Sequence, residues 1–159
     1  SARRAARLGD EFLPADPTLY TIYTDELKRL GKIHDKSARN ELIVWLAEDP
    51  EKFWTEFGPS ALHENNAYGK WYTDWKAWNG YETKADTSAL AEAGLYPIMT
   101  PEGLVDYIES AGEDPIIMFH PMAGGFDPEP AWQSLQLFES RVLPLLKQKG
   151  IPYEGHTGV

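Results

Sequence analysis

Polar residues that follow a short apolar run are the strongest candidates for chemistry in this sequence. The run, Ile-Ile-Met-Phe at 116–119, predicts a strand covered on both faces. His120 follows it directly, and Gly124 and Gly125 come a few residues later, where α/β folds often place functional residues. Two interpretations stay open: His120 is a site residue or a hydrogen-bonded structural group, and the glycines contact a ligand or only form a turn.

Other polar residues form no recognisable catalytic pattern. The sequence has no P-loop, no dinucleotide-binding glycine motif, no zinc-protease motif and no nucleophile elbow. His63 and Glu64 adjoin near the start of a predicted helix, without an evident partner that would make them an acid–base pair. The four histidines lack the spacing of metal ligands: they are His34, His63, His120 and His156. Catalytic residues are therefore unassigned, and no metal site is predicted.

The first eight residues, Ser-Ala-Arg-Arg-Ala-Ala-Arg-Leu, predict a helix that ends at Gly9. Ser1 and the first amides of this helix would bind an anion if a glycine-rich turn preceded them, and Arg3 and Arg4 would support a phosphate. The alternative, solvated arginines on a helix surface, is favoured by the spacing alone. Because the sequence starts within a helix and without methionine, we expect it to be a piece of a longer protein.

Three segments share one order: a short apolar strand, an Asp-Pro pair and a helix. Aspartate caps a helix N-terminus and proline suits its first position. The segments are Phe12-Leu13 with Asp16-Pro17, residues 42–47 with Asp49-Pro50, and residues 116–119 with Asp127-Pro128. Such repeated βα units predict a parallel sheet with helices outside it.

Further helices follow from capping and periodicity. Helices are predicted from Asp16-Pro17 to Gly31, and from Thr100-Pro101 to Gly112, with residues 81–96 as a loop containing a helical turn at 88–93. Pro144 predicts a kink or a helix end near Val142. The inner face of the last helix is predicted to comprise Trp132, Leu135, Phe138, Val142 and Leu145.

An aromatic-rich stretch is predicted as a helix inserted in the second unit, over residues 60–78. Its helical spacing favours burial in the core or at an interface, and the alternative is a platform that faces a sugar or a flavin. The aromatic residues are Tyr68, Trp71, Tyr72, Trp75, Trp78 and Tyr81.

Composition limits the class of protein. The chain has 159 residues, is 42% hydrophobic and has no cysteine, which indicates one domain with a core and makes a cytoplasmic setting the default. Its net charge of −10 argues against a nucleic-acid partner. No apolar segment suits a membrane span or a signal peptide, so no membrane partner is expected. Residues 151–159 are predicted to be a loose tail.

Three segments resemble the luciferase-like flavin monooxygenases. They are residues 1–14, residues 44–59 and residues 120–144, which begins His-Pro-Met-Ala-Gly-Gly-Phe-Asp-Pro. The resemblance implies an α/β fold of the TIM (β/α)8 type, which needs about 250 residues. Residues 1–150 would then be the C-terminal portion of such a barrel, a partial barrel of about three βα units plus the inserted aromatic-rich helix.

The resemblance also implies a site and an activity. Ser1, Arg4, Gly124 and Gly125 would lie beside the flavin, FMN or alternatively F420, and His120 and Met122 beside a small-molecule substrate. The chain would be a fragment of an oxidoreductase or monooxygenase. Two other hypotheses remain: a non-catalytic half-barrel that forms a homo-oligomer or pairs with a missing N-terminal half, and a module that binds a flat ligand on its aromatic residues.

Overall fold

A computed structural model describes residues 1–9, 12, 18–32, 41–74, 81–111 and 115–153. The chain divides into two compact units, Ser1–Arg39 and Asn40–Val159. The predicted domain, residues 1–150, includes parts of both units. Of the predicted tail, residues 151–153 are described, and the Ile151 N–H donates to the Leu146 carbonyl at 3.0 Å. This end of the tail is therefore attached to the preceding helix.

The first unit contains two packed helices, α1 (Ala2–Leu8) and α2 (Thr18–Arg29). Its buried core is formed by Ala2, Ala6, Tyr23 and Leu27. Glu26 joins the helices, because its carboxylate accepts hydrogen bonds from Arg7 at 2.9 Å and from Arg29 at 2.8 Å. Hydrogen bonds from Arg29 and then Arg7 lower the pKa of Glu26 to about 2. Both predicted helices are confirmed, and α2 ends at Arg29, two residues before Gly31, whose φ is positive.

The first predicted strand is wrong at Phe12. This residue lies outside any strand, and its ring contacts that of Tyr23 at 5.2 Å. An apolar pair is too short to specify a ladder, and here Phe12 adds to the helical core instead. Leu13 and Asp16-Pro17 lie outside the described residues.

The second unit has a parallel three-stranded sheet, which confirms the α/β class. The strands are β1 (Glu41–Leu46), β2 (Ile98–Met99) and β3 (Ile116–Phe119), in the order β2-β1-β3. Val44 pairs with Phe119, and Trp45 pairs with Ile98. The predicted strands at 42–47 and 116–119 are therefore confirmed, whereas the third strand is β2, which the sequence analysis missed. A two-residue strand carries no detectable periodicity.

The central strand β1 is covered on both faces by two separate cores. Val44 and Leu46 pack with Leu104, Val142 and Leu146 on one side. On the other side Trp45 belongs to a cluster with Phe57, Ala61, Leu90, Tyr96, Ala123, Phe126 and Ala131. This double burial explains why its sequence shows no polar alternation.

The helix after β1 is longer than predicted. α3 (Pro50–Asp74) runs for 25 residues, begins where Asp49 accepts a hydrogen bond from the Lys52 N–H, and continues through Pro59. The aromatic-rich segment is therefore the second half of this helix, and the prediction of a separate inserted helix is wrong. Pro59 removes one donor, and the helix continues through it because Phe57 and Ala61, on either side of the proline, are packed in the core.

The remaining helices largely follow the predicted caps. They are α4 (Thr87–Glu92), α5 (Pro101–Ser110), α6 (Pro128–Leu137) and α7 (Leu143–Lys149). Thr100 and Asp127 accept hydrogen bonds from the first turns of α5 and α6. A π-helical turn, Phe138–Val142, joins α6 to α7 just before Pro144, where a kink was predicted. Gly112 lies outside the described residues.

Trp132 is not on the inner face of α6, as was predicted, but is 58% exposed. The buried residues of α6 are Ala131 and Ser134, and the Leu46 N–H of β1 donates to the Ser134 hydroxyl at 2.7 Å. This hydrogen bond brings α6 close to the strand, so small side chains take the inner positions.

Candidate functional site

Glu64 of α3 is the centre of a hydrogen-bonded cluster beside the carboxyl end of β3. Its Oε2 accepts a hydrogen bond from the Gly124 N–H at 2.7 Å, and its Oε1 accepts one from the Tyr96 hydroxyl at 3.3 Å. His120 Nδ1 lies 3.8 Å from the same Oε1, so the two side chains form an ion pair when the histidine is protonated. The carboxylate is 13% exposed and is thus largely held by these partners.

Each partner of Glu64 comes from a different part of the second unit. His120 directly follows β3, and Tyr96 lies just before β2. Gly124 belongs to a 3₁₀ turn, Ala123–Gly125, that follows His120. β3 and β2 are the parallel neighbours of β1. The segment after β3, which carries His120 and Gly124, and the segment before β2, which carries Tyr96, both contact α3, the helix that follows β1.

Glycine is required at position 124 for two reasons. Its φ of 61° lies in the left-handed region, and a Cβ atom there would overlap the Ser60 carbonyl of α3. Gly125 also has a positive φ, 81°, but the space where its Cβ would lie is open. The predicted turn is therefore confirmed: Gly124 lies close against α3 and Gly125 faces free space, while contact of either glycine with a ligand stays a prediction.

The protonation of Tyr96 is defined by its surroundings. Burial, followed by the charge of Glu64, raises the pKa of the Tyr96 hydroxyl, so the hydroxyl remains a donor to the carboxylate. His120 is 51% exposed, and its ring lies 6.4 Å from that of Trp45. A carboxylate beside an accessible imidazole is a combination that can move a proton to or from a bound molecule.

A cavity of about 380 Å³ adjoins this cluster. Besides Glu64, Gly124 and Gly125, it is lined by His63, Ala67, Tyr68 and Trp71. Its volume is within the range of about 300–1,000 Å³ that is typical of small-molecule sites. The cavity and the Glu64 cluster together form the candidate site.

The predicted site residues fall in both units. His120 and Gly124 meet at Glu64, and Gly125 lines the cavity. Met122 is exposed and directly precedes the 3₁₀ turn, without lining the cavity. Ser1 and Arg4 are exposed residues of the first unit, so their predicted phosphate contact stays a prediction.

Sequence reasoning missed Tyr96 and found no partner for Glu64, whereas Tyr68 and Trp71 belong to the aromatic stretch for which a ligand-facing platform was the alternative interpretation. Glu64, Tyr68 and Trp71 are spaced by four and three residues, which places them on one face of a helix and was the available signal. Trp71 is 54% exposed, so the core alternative is wrong for it, whereas the interface and the ligand-platform alternatives stay predictions. The face of α3 that packs on the core consists of Phe57, Gly58, Ala61, Asn65 and Gly69. Trp75 and Trp78 lie outside the described residues.

One buried donor next to the site has no acceptor among the described residues: the indole N–H of Trp45. The part of the chain that the structure describes contains no group of three histidine, aspartate or glutamate residues able to hold a metal ion. Within the same residues, every helix is too short or too polar to cross a membrane. No known protein family, curated protein or solved structure matches the chain.

Proposed function

We propose that the chain is part of a flavin-dependent oxidoreductase or monooxygenase that acts on a small organic substrate. The observation that carries this proposal is the convergence of His120, Glu64 and the Gly124-Gly125 turn at the carboxyl end of β3, a strand of the parallel sheet. Ligands of α/β folds bind at this edge. The resemblance of three segments to the luciferase-like flavin monooxygenases adds the cofactor class, and the sheet would be a portion of a (β/α)8 barrel.

The residues present fit a flavin at the glycine turn. Open space lies beside Gly125, and the aromatic rings of Tyr68 and Trp71 border the adjoining cavity. FMN, or alternatively F420, would lie along this turn. When bound, such a cofactor carries hydride or activates oxygen.

The side chains of this chain would position the substrate and handle protons. His120 and Met122 would contact the substrate, and Glu64 would orient His120 across the 3.8 Å between their polar atoms. Tyr96 and the Gly124 N–H hold the carboxylate in place, so its position does not depend on the substrate. The protein therefore contributes orientation and proton transfer.

The test is to express the complete coding sequence that contains these residues and to record its visible absorption and its affinity for FMN and F420. We expect one of the two to bind and to be reduced under anaerobic conditions, and Glu64→Gln to slow substrate turnover. Glu56→Gln, an exposed carboxylate change on the same helix, is the matched control. Failure of both cofactors to bind would overturn the proposal. For residues 1–159 alone we expect FMN binding weaker than micromolar.

A second proposal is a non-catalytic half-barrel that associates with a second copy or with a separate N-terminal half. It is favoured by Ile43, which lies on the same face of β1 as Trp45 and is 37% exposed. In the described residues β2 and β3 are both edge strands, and such edges favour pairing. Light scattering of residues 1–159 should then give a mass above that of one chain, and a stable monomer would contradict self-association.

A further inference from the structure

We propose that the cavity beside Glu64 binds a small organic cation, a substituted ammonium group, between the aromatic rings of Tyr68 and Trp71 and the Glu64 carboxylate. The inference stands apart from the proposed redox chemistry, because binding of a cation requires neither a flavin nor oxygen. It assigns a ligand class to a cavity that the sequence analysis did not find.

The first argument is the arrangement of the aromatic rings. The ring centroids of Tyr68 and Trp71 lie 5.5 Å apart, and the ring planes meet at 78°. Two ring faces at nearly a right angle form a corner, the arrangement in which aromatic side chains surround an ammonium group. Tyr68 also stacks on Tyr81 at 5.2 Å, which holds one wall of the corner in place.

The second argument is exposure. Trp71 is among the most exposed large hydrophobic residues of the described chain, and Tyr68 is exposed as well. Both rings line the open cavity beside Glu64, and Trp71 is in contact with solvent there. The solvent-exposed parts of the two rings are therefore accessible to a ligand, and a ligand that covers them would remove apolar area from water.

The third argument is charge. Among the described residues that line the cavity, Glu64 is the only acidic one, and none of them is a lysine or arginine that would neutralise it. Its carboxylate accepts hydrogen bonds from Gly124 and Tyr96, which leaves acceptor capacity for a further donor. The net charge of −10 also raises the local concentration of cations around the chain.

Histidines are the cationic groups that would oppose such a ligand. His63 lines the cavity and His120 faces Glu64 at 3.8 Å, so protonation of either residue places a positive charge near the proposed ligand. Binding should accordingly be measured at mildly alkaline pH, which disfavours the charged form of histidine.

The experiment is a calorimetric titration of the chain with choline, and with its neutral analogue in which a tert-butyl group replaces the trimethylammonium. We expect saturable millimolar or tighter binding of choline and at least about tenfold weaker binding of the neutral analogue. Equal binding of both would show an apolar platform and overturn the proposal, as would the absence of saturation with choline.

Variants assign the binding to this cavity. Trp71→Ala and Glu64→Gln should each weaken choline binding about tenfold, whereas Trp71→Phe should retain part of the affinity. The matched controls are Trp132→Ala, another exposed tryptophan outside the cavity, and Glu56→Gln on the same helix, and both should leave affinity unchanged. Unchanged affinity in folded Trp71→Ala would overturn the proposal.

Folding of each variant is checked by circular dichroism before titration. If Glu64→Gln does not fold, the comparison of Trp71→Ala with Trp71→Phe and the titration with the neutral analogue still test whether the cavity binds the cation. Cation binding without flavin binding by the complete protein would support this inference and contradict the proposed function, and the reverse result would do the opposite. The two proposals therefore fail separately.

Discussion

The two halves of α3 carry aromatic residues at similar helical spacing but use them differently. In the first half Phe57 is fully buried, and its ring lies 4.7 Å from that of Trp45 and 5.0 Å from that of Phe126. In the second half Tyr68 and Trp71 are exposed and contact each other beside the cavity. One half thus holds the helix on the sheet, and the other borders the candidate site.

This difference shows that an aromatic stripe has no fixed role. The first half of α3 faces the Trp45 side of β1 and the 3₁₀ turn, which together cover its rings. Beyond Glu64 the buried positions are Asn65 and Gly69, which contact residues 81–83. Tyr68 and Trp71 continue the face of Phe57 and Ala61 along the helix, but there they border the cavity.

The largest expected loss of stability comes from a substitution in the buried first half of α3. Phe57→Ala should lower the free energy of unfolding by about 3–5 kcal/mol, because it leaves a cavity between the sheet and the helix. This loss of free energy of unfolding is measured by urea denaturation monitored by circular dichroism. A loss below about 1 kcal/mol would contradict the central role of Phe57 in this core.

The 3₁₀ turn Ala123–Gly125, which contacts the middle of α3 at Ser60 and Glu64, provides the next test. Gly125→Ala should destabilise the chain by about 1–2 kcal/mol through its positive φ alone. Gly124→Ala should cost about 1–3 kcal/mol more, because its Cβ also overlaps the Ser60 carbonyl. The two glycines are adjacent, so each serves as the control for the other in thermal denaturation. Equal losses would mean that α3 and the turn are less closely packed than the structure shows.

Removal of one hydrogen bond at Glu64 should have a smaller effect. Tyr96→Phe deletes the donor to Oε1 and should reduce stability by about 0.5–1.5 kcal/mol. Tyr153→Phe, at an exposed tyrosine, is the control and should change stability by less than about 0.5 kcal/mol. Similar values for the two variants would indicate that the Tyr96 bond contributes no net stability.

The smallest expected effect is on the exposed half. Trp71→Ala should change the free energy of unfolding by less than about 0.5 kcal/mol, because the indole is largely in contact with solvent. The measurement is the same urea titration used for Phe57→Ala. A loss comparable to that of Phe57→Ala would contradict the contrast between the halves and restore the prediction of a core role.

Local features of the fold were predictable because their causes are local. Asp49, Thr100 and Asp127 each accept a hydrogen bond from a backbone N–H within three residues, so capping needs no distant partner. The strands at β1 and β3 were visible as apolar runs. β2 was not, since its two residues are held by pairing with β1, as in the hydrogen bond from the Ala47 N–H to the Met99 carbonyl.

The candidate site was predictable only in part. His120 and the two glycines were found because they follow a strand, whereas Glu64 has no local mark that separates it from other helix glutamates. Its partner Gly124 lies 60 residues further along the chain. The prediction that Trp132 lies on the inner face of α6 was wrong for a related reason. The hydrogen bond from the Leu46 N–H to the Ser134 hydroxyl turns a different face of α6 inward.

The sequence by itself therefore determined the starts of the capped helices, the two longer strands and the sharp turn at Gly124. Tertiary structure alone decided that Glu64 lies between Tyr96, His120 and Gly124, and that one half of α3 is buried while the other borders a cavity. The physical reason is the distance in sequence over which each feature is determined. Caps, apolar runs and left-handed turns depend on neighbouring residues, whereas burial and strand pairing depend on which distant segments come into contact.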